Sequence, residues 1–341
     1  MTIDLTAPPV EVTELLESTR RRIRPAVQKA VERLQPVPRQ ISEFTFGWRE
    51  ADGTPRGDDE GKGVRPTLAG LSAAAAGGDA ADAVPGAVAV ELVHAFSLVH
   101  DDIMDEDETR RHRMTAWKAY GVGPAILAGD GLLALALDTL ARTGDAAAVG
   151  RLTSVLVELV NGQAADTSFE HRPWSGPEAV TVEEYRAMAV GKTASLLGCA
   201  AALGWLLGGG DREDAEKMDR MGRHLGLAFQ AVDDLLGIWG EPEVTGKAVH
   251  NDLRQGKKSL PVIAALRSGD EELALLLKAR PADGREAHRA ALLIERAGGR
   301  AYTEELAEQE TAAAMEIIDG IGGGCGAELA ALARYVVSRR A

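Results

Sequence analysis

The residues with the clearest chemical potential lie in the segment LVHDDIMDEDETRR, which spans Leu98–Arg111. Residues four positions apart share one face of a helix, so Asp101 and Asp105 should project side by side, with Asp102 turned by about 100°. Carboxylates this close repel each other unless a cation lies between them. Mg²⁺ suits the pair because one or two carboxylates and substrate phosphates typically hold it. A solvated acidic helix end is the alternative explanation.

Two further features favour the metal site. Arg110 and Arg111 follow at once and offer planar donors that suit phosphate oxygens. A second pair, Asp233 and Asp234, comes far along the chain after another apolar run, LGLAFQAV. Paired carboxylates beside arginines therefore indicate a site for a metal ion and a phosphorylated substrate.

The composition predicts an all-α protein. Of 341 residues, 45% are hydrophobic but only 4% are aromatic, so the core must be built from Ala, Leu and Val. That favours closely packed helices over strands, which prefer β-branched and aromatic residues. The net charge of −14 disfavours nucleic acid and anionic membranes as partners. Bound divalent cations would let such an acidic protein accept a phosphorylated substrate.

Cysteine usage and hydropathy predict a cytoplasmic protein without stable membrane insertion. Cys199 and Cys325 have no partner spacing, which is typical of buried thiols in a reducing compartment. The N-terminal stretch MTIDLTAPPVEVTELLE lacks the basic and apolar regions of an export signal. The apolar run 194–210 has 17 residues and no charged side chain. A spanning helix needs ~20, so we expect a buried helix there.

Hydrophobic periodicity divides the chain into helices within a single domain, 1–341. We expect a loose tail over 1–10, a surface helix over 12–34 and, because Pro, Gly and Asp are frequent, a mobile loop over 35–63. The segment 240–258 could fold over the site as a lid that excludes water. The other predicted helices are Thr67–Ala76, Pro85–Glu106, Pro124–Arg142, Ala146–Ala165, Val182–Leu207, Asp214–Trp239 and the helical remainder 260–341, to which we assign no chemistry.

Several basic residues lie where an anion could bind. Lys62 and Arg65 flank the start of a helix, whose partial positive charge attracts anions. His94 lies two turns before Asp101 on the same helix face, where it is either a packed core residue or a ligand contact. Lys192 lies in an apolar stretch and needs a partner, for which a diphosphate is the better candidate.

Together these segments resemble the trans-prenyl diphosphate synthases, the polyprenyl synthetase family of the isoprenoid synthase fold. The resemblance runs from about Lys62 to Pro261. A DDxxDxxxxRR motif carries it, together with smaller elements in the family's order. These residues are Lys62 and Arg65 of a GKxxRP element, His94, Asp101, Asp102, Asp105, Arg110, Arg111, Gly162–Gln163, Lys192–Thr193, Phe229–Gln230, Asp233–Asp234, Lys247 and Lys257.

The resemblance implies an isoprenoid synthase-type bundle of antiparallel helices around a central apolar cavity, and a homodimer. It implies an enzyme that ionises an allylic diphosphate with three Mg²⁺, condenses it with isopentenyl diphosphate and releases pyrophosphate, which takes the proton. Asp101 and Asp105 would hold two ions and Asp233 the third, with Asp102 and Asp234 in support.

The remaining roles also come from the resemblance. The allylic diphosphate would contact Arg110, Lys192 and Lys257, with Lys247 nearby. Isopentenyl diphosphate would contact Lys62, Arg65, His94 and Arg111. The side chains of Thr193 and Gln230 would face the carbocation.

One departure affects the second motif. Gly237 replaces the last Asp of the family's DDxxD pattern. In the family the first aspartate, here Asp233, makes the direct metal contact, so we expect weaker metal binding rather than none. The departure keeps two alternatives open: a terpene cyclase that ionises a diphosphate without a second substrate, and a catalytically silent partner subunit. Lys62, Arg65 and Arg111 argue against the cyclase, and the complete first motif argues against the silent subunit.

The length of the product should depend on the residues below the first motif. Phe96 lies five positions before Asp101, ~7.5 Å back along the helix. In the family, bulk at this level forms the floor of the pocket. Phe96 followed by the small Ser97 favours a C20 product, with C15 as the alternative.

Overall fold

Helices make up 76% of the computed structural model, which describes residues 10–56, 61–110, 113–241, 249–281, 283–321 and 325–338. The predicted all-α class is confirmed. The sheet content of these ranges is one isolated bridge and one hairpin, in which β1 (Thr109–Arg110) pairs antiparallel with β2 (Arg113–Met114).

The helices of the described ranges are numbered in chain order. In order they are α1 (Val10–Val31), α2 (Pro36–Thr45), α3 (Val64–Ala75), α4 (Val84–Met104), α5 (Ala116–Tyr120), α6 (Val122–Ala141), α7 (Ala146–Glu170), α8 (Val182–Ala189), a π-helix (Val190–Ala194), α9 (Ser195–Leu207), α10 (Arg212–Trp239), α11 (Asn251–Gln255), α12 (Leu260–Leu266), α13 (Glu271–Ala279), α14 (Gly284–Arg296), α15 (Gly299–Ile321) and α16 (Gly326–Val337).

The core uses small and aliphatic side chains, as the composition predicts. Its largest cluster joins α1, α3, α4, α6, α7 and α9 and includes the fully buried Leu92, Leu132 and Leu203. Burial of each such side chain stabilises the fold by about 1.5–3 kcal/mol. A Cβ atom at Gly204 would lie 2.0 Å from the carbonyl oxygen of Ala69, so α3 and α9 pack with their backbones in contact. This close packing fixes the helices that carry the charged residues.

The predicted loop over 35–63 is wrong in its first third. Residues Pro36–Thr45 form α2, with Pro36 at the helix start and Ile41 and Phe44 buried. A proline is favoured at the first helical position because an N–H there would have no partner within the helix. Pro36 is therefore compatible with a helix that begins at this residue. The predicted tail falls outside the described residues except for its last position, Val10, which begins α1.

The predicted helix over Val182–Leu207 is interrupted. Val190–Ala194 forms a π-helix between α8 and α9. Single π-turns inside helices are rare overall, and those that occur are often located at functional sites. The uncharged run after it forms α9, and its residues Ser195–Trp205 are buried as predicted. In the predicted lid, Asn251–Gln255 forms the short α11.

Two helical stretches of the described chain are long and apolar enough to cross a membrane by length and composition alone. They are α6 and Val182–Leu207. In the second, 78% of the apolar window is buried inside the protein, which identifies it as a core segment. In α6 the buried share is 39%, so this helix presents apolar side chains at the surface.

Candidate active site

The first aspartate motif lies at the C-terminal end of α4. Asp101 and Asp102 belong to the last turn, and Asp105 follows as the C-cap residue, with its backbone N–H donating to the Asp101 carbonyl at 2.8 Å. Asp102 is buried, with 5% exposure, and accepts a 2.7 Å hydrogen bond from Nε of Arg110. Burial raises the pKa of Asp102 to about 6 even though Arg110 opposes the change. Arg110 therefore already neutralises one carboxylate of the motif.

Asp101 lies in a field of mixed charge. Burial raises the pKa of its carboxyl group, and the neighbouring carboxylates of Asp105 and Asp166 act in the same direction. Lys192 and Arg110 oppose the shift. A carboxylate pushed toward protonation by burial and like charges favours a cation beside it.

Lys192 projects from the π-helix toward the first motif. Its Nζ lies 2.5 Å from a carboxylate oxygen of Asp166 on α7. Burial works to lower the pKa of Lys192, but Asp166, Asp101 and Asp105 outweigh it, so the pKa lies above its usual value. The ammonium group is thus held charged between two helices.

A glycine permits this placement of Lys192. A Cβ atom at Gly162 would lie 2.2 Å from the backbone nitrogen of Lys192, so α7 and the π-helix touch at this point. Gln163, the next residue, carries a buried side-chain nitrogen without a hydrogen-bond partner among the described residues. The Gly162–Gln163 pair noted in the sequence therefore lies against the π-helix.

The second aspartate pair lies near the C-terminal end of α10. Asp233 is partly exposed, whereas Asp234 is 5% exposed. One oxygen of Asp234 accepts from the Tyr185 hydroxyl (2.5 Å) and the Leu260 N–H (2.7 Å), and the other accepts from the Gln230 amide (2.9 Å). Burial nevertheless raises the pKa of Asp234 to about 7. Both oxygens are thus occupied by the protein.

Two routes of contact join the motifs. On one side, Lys192 faces Asp101, and the next residue, Thr193, donates from its hydroxyl to the side-chain oxygen of Gln230 at 2.7 Å. Gln230 in turn holds Asp234. On the other side, Nζ of Lys257 lies 4.0 Å from Asp105. The two carboxylate pairs therefore border one charged region.

The segment that carries Lys257 also contacts α10. The backbone N–H of Lys257 donates to the carbonyl of Asp252 at 2.9 Å, and the Asp252 carboxylate lies against Gly237. The segment after α10 thus contacts both motifs.

A cavity lies beside the predicted basic residues near α3. His94 lines it from α4, and Gly61 and Gly63, the neighbours of Lys62, line it before α3. The cavity has a volume of about 80 Å³ and is open to solvent. Lys62 is exposed and Arg65 is partly buried. Arg111 and Lys247, also predicted site residues, lie outside the described residues.

Sequence reasoning missed three residues of this region. Asp166 holds Lys192, Tyr185 holds Asp234, and the carboxylate of Asp252 fills the space beside Gly237. The position of Asp166 could have been recognised from the sequence, since it follows the Gly162–Gln163 pair by about one helical turn. The roles of Tyr185 and Asp252 depend on contacts between distant segments.

Comparison with known proteins identifies the family. The model of the family described as polyprenyl synthetase matches residues 57–294. The (2E,6E)-farnesyl diphosphate synthase of Mycobacterium tuberculosis is 43% identical over 331 residues, which cover 94% of this chain and 91% of that protein. The geranylgeranyl diphosphate synthase of the same species is 43% identical over 309 residues, covering 88% and 87%.

A solved structure agrees. The polyprenyl synthetase of Streptomyces coelicolor A3(2) superposes with a TM-score of 0.90 at 46% sequence identity, covering 96% of this chain and 99% of that one. The predicted isoprenoid synthase fold is thereby confirmed. The chain belongs to the polyprenyl synthetase family and is a prenyltransferase.

Proposed function

We propose that this prenyltransferase uses Mg²⁺ to condense isopentenyl diphosphate with an allylic diphosphate, and that its main product is C20, with C15 as the alternative. The observation that carries the proposal is the pair of contact routes that join the two aspartate motifs through Lys192 and Lys257. A diphosphate at this region would meet carboxylates suited to metal ions and ammonium groups suited to its own oxygens.

The donor set fits Mg²⁺. The carboxylates of Asp101 and Asp105 are close enough for Asp105 to raise the pKa of Asp101, and a divalent cation would relieve that repulsion. Within the described ranges no three acidic, histidine or cysteine side chains form a complete cage for a metal. That arrangement suits Mg²⁺, which keeps several waters and takes the rest of its ligands from substrate phosphates.

We assign Asp101 and Asp105 to hold two ions and Asp233 to hold a third. When bound, Mg²⁺ would neutralise the charge that develops on the departing pyrophosphate. Asp102 and Asp234 act as supports, because Arg110 binds the first and three hydrogen bonds hold the second.

The basic side chains bind and orient the two substrates. Arg110, Lys192 and Lys257 bind the allylic diphosphate, with Lys247 near it, while Lys62, Arg65, His94 and Arg111 bind isopentenyl diphosphate. The C1–O bond of the allylic substrate breaks, and the double bond of isopentenyl diphosphate adds to the carbocation. The new cation then loses a proton to the released pyrophosphate. The Thr193–Gln230 pair, with hydroxyl and amide 2.7 Å apart, presents its dipoles to the cation.

Product length is assigned from the packing of Phe96. Its ring is 9% exposed and meets the ring of His100 edge-on, with centroids 4.7 Å apart. His100 in turn fits only against a glycine, because a Cβ atom at Gly129 would lie 2.4 Å from its Nε2. Phe96 is therefore held in place and suits a pocket floor. We expect Phe96→Ala to lengthen the main product, as measured by mass spectrometry, and an unchanged product distribution would refute this assignment.

The protein is also proposed to act as a homodimer in the cytoplasm. Exposed apolar side chains on α6 and α7 offer a surface that a second copy could cover, and the buried free thiol of Cys199 suits a reducing compartment. The α6 and α7 residues are Val122, Ile126, Leu127, Val157 and Val160. Light scattering of the purified protein would give twice the chain mass.

One assay tests the reaction. The protein is incubated with Mg²⁺ and a C15 or C10 allylic diphosphate, with and without isopentenyl diphosphate, and the products are identified by mass spectrometry. The proposal requires elongation only when both substrates and Mg²⁺ are present, and its loss in chelator. A hydrocarbon from the allylic substrate alone would support a terpene cyclase. No product under any condition would support a silent partner subunit.

A further inference from the structure

The position of the missing third aspartate is filled by another carboxylate. A Cβ atom built on Gly237 would lie 1.9 Å from Oδ2 and 2.4 Å from Cγ of Asp252. These separations are far inside van der Waals contact, so a side chain at 237 and the carboxylate of Asp252 cannot occupy their places together. The two positions are 15 residues apart and belong to different helices, α10 and α11.

This place is next to the predicted metal-binding aspartate. Gly237 follows Asp233 by four residues, so a side chain at 237 would project beside that of Asp233 on one face of α10. Asp252 is 9% exposed, and its negative charge acts on the neighbouring Asp234. The carboxylate of Asp252 is thus part of the electrostatics of the second motif.

Backbone contacts hold Asp252 in this position. His250 donates to the carbonyl of Ile238 at the end of α10 through its N–H (3.2 Å) and its ring Nδ1 (2.5 Å). The carbonyl of Asp252 accepts from the N–H of Lys257, whose side chain lies 4.0 Å from Asp105. Asp252 therefore sits on a segment that is tied to the second motif and reaches the first.

We propose that Asp252 supplies the third carboxylate of the second aspartate motif, as a positioning residue for the Mg²⁺ that Asp233 would hold. The inference rests on the proposed function. Asp252 would act through the water shell of the ion, which lowers the Mg²⁺ concentration needed to bind pyrophosphate. Gly237 is then the residue that makes room for this carboxylate, and the departure from DDxxD moves the third charge without removing it.

The test moves the carboxylate back to 237. Three variants are compared with the wild type: Asp252→Asn, Gly237→Asp combined with Asp252→Gly, and the uncharged control Gly237→Asn combined with Asp252→Gly. The readout is the rise in melting temperature with inorganic pyrophosphate as Mg²⁺ is titrated. Circular dichroism and the melting temperature without ligand report whether each variant is folded.

We expect Asp252→Asn to raise the half-saturating Mg²⁺ concentration about 10-fold or more, the range found for residues that orient metal ligands indirectly. Gly237→Asp with Asp252→Gly should return the half-saturating Mg²⁺ concentration to within about threefold of the wild-type value. A full return is not expected, because neighbouring substitutions are not strictly additive. The Asn control should stay as weak as Asp252→Asn.

Two results would overturn the assignment of Asp252: an unchanged Mg²⁺ midpoint in Asp252→Asn, or equal midpoints in the two double variants. A wild-type protein that Mg²⁺ and pyrophosphate fail to stabilise would instead overturn the proposed function, and this inference with it.

Discussion

The two aspartate motifs are built in different ways. The first lies within five consecutive residues, Asp101–Asp105, at a helix end, where Arg110 and Lys257 approach it from later segments. The second contributes Asp233 and Asp234 from α10, and the space of its third member holds a side chain from α11. The first motif can therefore be read as a sequence pattern. The second is complete only in the folded chain.

The difference extends to the solvent exposure of the carboxylates. Asp101 and Asp105 are partly exposed, and the cations beside them are the side chains of Lys192, Arg110 and Lys257. Asp234 is buried with both oxygens in hydrogen bonds to protein groups. We therefore propose that the first motif and Asp233 bind the ligand, and that Asp234 supports the site.

The largest effect is expected at the first motif. Asp101→Asn should lower kcat/KM by about 10³-fold, since it removes a charge that acts on the leaving group. The steady-state rate with both substrates measures the loss. The exposed Asp319→Asn on α15 is the matched control and should leave kcat/KM unchanged. A loss of less than tenfold for Asp101→Asn would mean that the first motif does not hold the reacting group.

A smaller effect is expected where the two motifs are joined. Lys192→Met should lower kcat/KM by about 10²-fold, and Asp166→Asn by less, because Asp166 acts by holding Lys192 at 2.5 Å. Once Lys192 is absent, removing Asp166 should have little further effect. A double-mutant cycle on kcat/KM measures this coupling. Fully additive losses would show that Asp166 acts independently of Lys192.

The smallest effect concerns the stability of the second motif. The pKa of Asp234 is raised to about 7 in the folded protein, so its ionised form is disfavoured there relative to the unfolded chain. Stability of the metal-free protein should therefore fall as pH rises from about 4 toward 7, by at most about 1.4 kcal/mol per pH unit from this group. The loss is complete above the folded pKa.

Asp234→Asn isolates this contribution, because it removes the titrating group and keeps the shape. In chelator, the difference in unfolding free energy between wild type and Asp234→Asn should change between pH 5 and pH 8, and the wild type should be the one that loses stability. Parallel pH profiles for the two proteins would contradict the assigned pKa shift.

Much of the fold follows from the sequence for simple reasons. The scarcity of aromatic residues and the helical spacing of Ala and Leu predict the all-α class, and the buried α9 follows from an uncharged run too short to span a membrane. The helix α2 is not predicted, because the prolines near its start are also typical of loops, although the first turn of a helix accepts them.

The site was less predictable where it depends on distant contacts. The π-helix around Lys192 lies where Gly162 and Gly191 let two backbones touch, and this contact joins segments far apart in sequence. The hydrogen bond from Tyr185 to Asp234 and the contact of Asp252 with Gly237 also join segments that are distant in sequence. Spacing along one helix predicts which residues share a face. It does not predict which other helix will face them.

We propose that both aspartate motifs bind the same pyrophosphate through divalent ions. This shared binding can be tested with a crystal structure of the wild-type protein with Mn²⁺ and inorganic pyrophosphate, recorded at the manganese absorption edge. We expect anomalous peaks beside Asp101 and Asp105 and beside Asp233, all in contact with one pyrophosphate that Lys192 and Lys257 also touch. Manganese at one motif only, or a pyrophosphate bound away from either motif, would contradict it.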